Sequence, residues 1–73
     1  MMVYCPFCIG NGLIYKAVIK VTGDIIYICD ECDTVWKTTD ITEENCFNFR
    51  EIMSALGRKD LWSELSDIKP LEK

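Results

Sequence analysis

Cys5-Pro6-Phe7-Cys8, followed after twenty intervening residues by Cys29-Asp30-Glu31-Cys32, is the stretch that decides how this chain folds. Two residues between cysteines allow a tight turn that aims both sulfurs at one point. Two such turns facing each other supply four sulfurs in a tetrahedron, and the doubled spacing is that of a four-thiolate zinc site with metal–sulfur distances of about 2.3 Å. Two disulfides are the competing use of four cysteines, but they belong to oxidising compartments. Here Met1-Met2-Val3-Tyr4 leads straight into the first cysteine, so a secretory leader is not expected and a cytoplasmic setting is. A thioredoxin-like site needs one Cys-x2-Cys between a strand and a helix, whereas this chain has two pairs joined by strand-like sequence. An iron site of four cysteines fits the spacing equally well. Zinc is favoured over iron because no redox partner is visible.

The pattern resembles the zinc ribbon family, in its small single-domain bacterial or phage form, over roughly residues 3 to 39. The resemblance implies two knuckles, a two- or three-stranded antiparallel sheet and one structural zinc. Cys5, Cys8, Cys29 and Cys32 match the family's ligand positions one by one. Family knuckles often place Gly soon after the second cysteine, where the backbone turns left-handed. Gly10 comes two residues after Cys8, but the second knuckle continues with Asp33 and Thr34. Asp enters the left-handed region at modest cost, so the departure is minor. Members serve transcription, ribosomes, enzymes and partner docking, so the resemblance speaks for fold more than for function.

Reading outward from the cysteines, Met2–Tyr4 is expected as a short strand. Pro6 presets the first turn, and Phe7 at its tip either packs over the metal site or is an exposed contact residue. Gly10-Asn11-Gly12 is a turn cluster, not a phosphate loop, because no Lys-Ser/Thr follows it. From Leu13 to Val21 the pattern alternates. Leu13, Tyr15, Ala17, Ile19 and Val21 share one face, and Ile14, Lys16, Val18 and Lys20 the other, which predicts a strand with one buried face. Thr22-Gly23-Asp24 is a hairpin turn, Ile25–Ile28 the return strand, and Thr34–Thr39 a third strand that places Trp36 in the core beside the site.

Beyond Asp40 the pattern changes. Thr42 is a good N-cap with Glu43 and Glu44 in the first turn behind it. Cys46, Phe49, Met53 and Leu56 recur at helical spacing, and Gly57 stands where a helix ends, so a helix is predicted over Glu43–Leu56. Its stripe should pack on the ribbon's sheet, which alone is too small to be stable. Cys46 on that stripe reads as a buried inert thiol, since no histidine exists to activate it. Asp60 is expected to cap a short second helix, Leu61–Ser66. The fold class is therefore small α+β: one domain, 1–73, with a ribbon over 1–39 and a helical extension over 40–73.

The formal net charge is −4 from eight basic and twelve acidic residues. Four thiolates and a divalent zinc would take two further units off it. Nucleic-acid binding leans on clustered Lys and Arg, and the longest basic run is Arg58-Lys59, so autonomous DNA or RNA binding is disfavoured. No run of eighteen apolar residues offers a membrane span. Closed thiolate coordination and the absence of histidine argue against an enzyme and against a small-molecule substrate. An acidic surface suits a basic protein partner. The candidate contacts are Asp30, Glu31 and Asp33 on the second knuckle and Glu43, Glu44 and Glu51 on the expected helix, with Trp62 as either apolar anchor or core residue. An immunity protein or antitoxin that covers a basic nuclease toxin would have this character. The alternative is a nucleic-acid-binding or transcription-associated ribbon, with Lys16 and Lys20 on one strand face.

Overall fold

The computed structural model describes residues 1–72. It is a small α+β structure: β1 (Ile14–Ile19), β2 (Ile25–Cys29), β3 (Thr34–Trp36), β4 (Cys46–Asn48), α1 (Phe49–Ala55), a single 3-10 turn (Trp62–Glu64) and β5 (Leu65–Pro70). The strands form one antiparallel sheet in the order β4-β3-β2-β1-β5. The expected β1–β2 hairpin is present, closed by Gly23 at a φ of 78° and by the Gly23 N–H on the Ile19 carbonyl at 2.7 Å.

Three expectations need correction. The sheet has five strands rather than three, because segments expected to be helical extend it at both edges. The helix does not start at Glu43. Cys46–Asn48 pairs with β3 in the register Trp36↔Cys46, Val35↔Phe47 and Thr34↔Asn48, and α1 begins only at Phe49. The cap is Asn48, not Thr42: it keeps extended backbone while its side-chain oxygen accepts the Glu51 N–H at 3.2 Å. The apolar spacing that looked like one stripe joins two elements, since Cys46 lies on a strand while Phe49 and Met53 are buried from the helix. Leu56 is exposed. The stop is where it was expected. Gly57, at a φ of 70°, donates to the Ser54 carbonyl and Arg58 to that of Met53, a Schellman closure. The second helix, Leu61–Ser66, is the third correction. Only Trp62–Glu64 winds, and Leu65–Pro70 pairs with β1. An edge strand tolerates Pro70, and a register shift opposite Lys16/Val18, with Asp67 at a φ of 51°, bends it.

The sheet is covered on both faces. Ala17, Ile19, Ile26, Ile28 and Val35 meet Phe49, Met53 and Leu65 in one cluster, with Tyr15, Ile52 and Trp62 at its margin. On the other face Ile14, Cys29 and Trp36 are buried with Cys5 and Leu71. The single buried face expected for β1 is therefore half of the arrangement: Ile14 belongs to the opposite face, beneath the cysteines, and Val21 lies exposed beyond the strand.

Candidate metal centre

Hairpin register brings the two Cys-x2-Cys turns together, since Ile14 pairs with Cys29 while the chain before it folds back through Ile14 N–H on the Val3 carbonyl. The Cys5 and Cys32 sulfurs stand 3.7 Å apart, as do those of Cys8 and Cys29. All four lie within 4.8 Å of one another. A tetrahedron of sulfurs about 2.3 Å from a central ion has edges of about 3.8 Å, so the four cysteines are positioned to hold one metal ion. The same separation is far beyond the about 2.05 Å of a disulfide.

The two turns are built alike. In each, the N–H two residues on points at the first sulfur: Phe7 N–H to Cys5 Sγ and Glu31 N–H to Cys29 Sγ, both at 3.4 Å. Such donors favour thiolate over thiol. Burial pushes the Cys8 thiol up, helped by the neighbouring sulfurs. It also pushes Cys29 up to about 11, against the opposing pull of the Cys32 and Glu31 backbone N–H groups. Cys32 is the exception. Burial raises it too, but the hydroxyl of Thr34, 3.0 Å from the sulfur, and the Thr34 N–H outweigh this and bring it to about 7.

Packing around the site is tight on one side. Trp36 is fully buried, as expected, donates its indole N–H to the Thr42 carbonyl at 2.8 Å, and stacks with Phe7 at 6.3 Å between ring centroids. Gly12 is closer still. A Cβ there would stand 2.5 Å from the Cys29 sulfur and 3.1 Å from that of Cys8. The turn cluster reads in sequence as a release from the knuckle. Its tighter role, letting the backbone pass the ligands, and that of Thr34 show only in three dimensions. Cys46 stays out of the four-sulfur group and is half-buried, its thiol directed at the Glu43 carbonyl at 3.5 Å.

The carboxylates singled out by sequence are divided. Asp30 accepts the Leu13 N–H at 3.0 Å, and Asp33 accepts the Trp62 indole N–H at 3.0 Å, so both are tied into the fold. Trp62 is also edge-on to Tyr15 at 5.9 Å. Glu31 is exposed on the knuckle, Glu43 and Glu44 are exposed in the turn before β4, and Glu51 is exposed in the first turn of α1. Asp30, Glu31, Asp33, Glu43, Glu44 and Glu51 form no salt bridge to Lys or Arg among the described residues, where Arg58–Glu64 pairs at 3.2 Å. Among those residues no helix is long and apolar enough to cross a membrane. No protein-family model, curated protein or solved structure matches the chain.

Proposed function

We propose that the chain is a zinc ribbon whose single zinc is structural, and that it serves as a non-enzymatic module engaging a basic protein. Four sulfurs at tetrahedral spacing fit zinc, and a closed shell leaves no coordination position for a substrate. The observation that carries the partner reading is the set of exposed carboxylates, Glu31, Glu43, Glu44 and Glu51, that form no salt bridge to a Lys or Arg among the described residues. A cationic surface would complement them, and steering between opposite charges speeds association. An inhibitor that covers the phosphate-attracting cleft of a nuclease, as an immunity protein or antitoxin does, is the sharpest form of this reading.

A second reading has its own observation. Lys16 and Lys69 are directly opposed across β1 and β5, with Tyr27 opposite Lys16 on β2. Like charges facing each other across strands are unfavourable alone, and a phosphate would relieve them. One experiment separates the two. The zinc-loaded protein is immobilised and offered an extract of its native host, and in parallel a labelled single-stranded oligonucleotide at physiological salt. Recovery of a cationic protein, weakened by added salt and by a Glu31→Lys, Glu51→Lys double reversal, supports the first reading. Micromolar oligonucleotide binding, lost on Lys16→Glu, supports the second.

A further inference from the structure

The two knuckles are near copies, and they differ at one informative position. The residue after the second cysteine turns left-handed in both: Ile9 at a φ of 40° after Cys8, and Asp33 at a φ of 57° after Cys32. Asp suits that conformation and also accepts the Trp62 indole N–H, so the fold accounts for it. Ile does not suit it. A β-branched side chain is among the least tolerant of positive φ, and Gly or Asn would relieve the strain. Nor does Ile9 contribute to the core, for it is 89% exposed. Phe7, on the same knuckle, stays 45% exposed despite stacking on Trp36. Folding is thus opposed at Ile9 by backbone strain, and its exposed side chain returns almost no burial to offset it. Strain of this kind persists where surrounding structure enforces it and clusters at functional positions.

We infer that Ile9 is the apolar anchor of a protein-binding surface at the metal end of the molecule, flanked by Phe7. The inference rests on the basic-partner reading above and goes beyond it by naming the residue that enters the partner. Cys8, one of the four clustered cysteines, directly precedes Ile9 and anchors the backbone there, so little is lost in ordering the side chain on binding. The partner is a protein with an apolar pocket rimmed by Lys or Arg. The second knuckle, which shares the ion, presents Glu31 at the same end. A second copy of this chain would set acidic knuckle against acidic knuckle, and an anionic lipid surface would repel it.

The test uses the zinc-loaded full chain with a photo-crosslinking residue, p-benzoylphenylalanine, at position 9, and a control with the same residue at Asp24 on the hairpin turn. Both are irradiated in native-host extract and the adducts identified by mass. Ile9→Gly and Ile9→Asn are compared with wild type for capture and for thermal midpoint. The expected result is an adduct with a basic protein from position 9 and not from position 24. Capture should fall at least tenfold in both variants while the midpoint rises by about 4 °C or more as strain is relieved. Undiminished capture of a basic protein by Ile9→Gly overturns the anchor and leaves the basic-partner reading standing. Recovery of no basic protein by wild type overturns both. A lowered midpoint, or flotation of wild type but not Ile9→Gly with neutral phosphatidylcholine vesicles, also overturns the anchor.

Discussion

The Trp62 indole N–H donates to the Asp33 carboxylate at 3.0 Å, tying the 3-10 turn that leads into β5 to the second knuckle across 29 residues of sequence. Asp33 can serve because it stands in the left-handed turn after Cys32, a conformation that Asp tolerates. The knuckle is therefore held from two sides, by whatever ion its sulfurs take and by the last segment of the chain. Reversing Asp33 to test a charged surface would break this tie. Glu31 is the carboxylate of that turn whose charge can be changed with least effect on the fold.

Trp62→Phe keeps an aromatic ring against Tyr15 and removes the donor, together with a little of the indole's packing. The bond is to a charged acceptor but partly exposed, so its loss should cost about 1 kcal/mol. For a domain of this size that lowers the thermal midpoint by about 4–8 °C. Asp33→Asn keeps both an acceptor oxygen and tolerance of positive φ, and should cost clearly less. Equal losses in the two variants would show that the charge, rather than the hydrogen bond, is what matters.

Metal analysis of purified protein should give one ion per chain, zinc in our reading. Structural zinc contributes roughly 10 kcal/mol or more of apparent binding energy, comparable to the whole stability of a small domain, about 5–15 kcal/mol. Cys29→Ser, or a strong chelator, should therefore abolish the near-ultraviolet circular dichroism of buried Trp36. Cys46→Ala should keep the ion and cost about 1–2 kcal/mol, since its thiol is only half-buried beside Trp36. Loss of metal in that variant would show that the ligand set is misassigned.

Metal uptake should release protons, and the sign follows from the thiols. Without metal, Cys8 and Cys29 are pushed up by burial and carry protons at neutral pH, while Cys32, held near 7 by Thr34, is about half ionised there. Each ion bound at pH 7 must displace these protons, between about two and three from Cys8, Cys29 and Cys32 together. Affinity therefore rises with pH and falls steeply on acidification. Calorimetric titration in buffers of different ionisation enthalpy reads the number directly. Release of fewer than about two protons would mean that the site is already ionised before metal arrives.

The metal centre was legible because its signal is local: each Cys-x2-Cys fixes its own turn, and strand alternation between the pairs brings them together. The two edges of the sheet were not legible. Cys46, Phe49, Met53 and Leu56 fall at helical spacing, yet Cys46 sits opposite Trp36 on a strand, and Asn48 bends the chain into a helix only afterwards. Nothing local separates one amphipathic helix from a short strand running into a shorter helix. Leu65–Pro70 lacks clean alternation and ends in Pro, so its strand exists through pairing with β1 at the other end of the chain. Trp62 showed its class but not its use. Its partner is a turn residue whose conformation, not identity, places it.

Gly12→Ala tests how closely the backbone must approach the ligands. A glycine in a turn cluster is ordinarily read as supplying positive φ, but Gly12 is not among the residues with positive φ, so Ala could adopt its backbone. What forbids a side chain is space. The added methyl would stand 2.5 Å from Cys29 Sγ, 3.0 Å from Cys8 Cβ and 3.1 Å from Cys8 Sγ. None of these neighbours is the free end of a flexible side chain, since both sulfurs are fixed in the four-sulfur group. Gly12 also accepts the Cys5 N–H at 2.9 Å through its carbonyl, so backing the chain away from the cysteines would loosen a third ligand. The strain therefore has to appear at the metal. Gly12→Ala should weaken metal affinity by at least tenfold in competition with a chromophoric chelator. Gly10→Ala should not, because a methyl at Gly10 meets nothing within 4 Å and costs only backbone strain, read as a lower thermal midpoint at unchanged affinity. If the two substitutions lower affinity equally, turn flexibility rather than close approach governs the site.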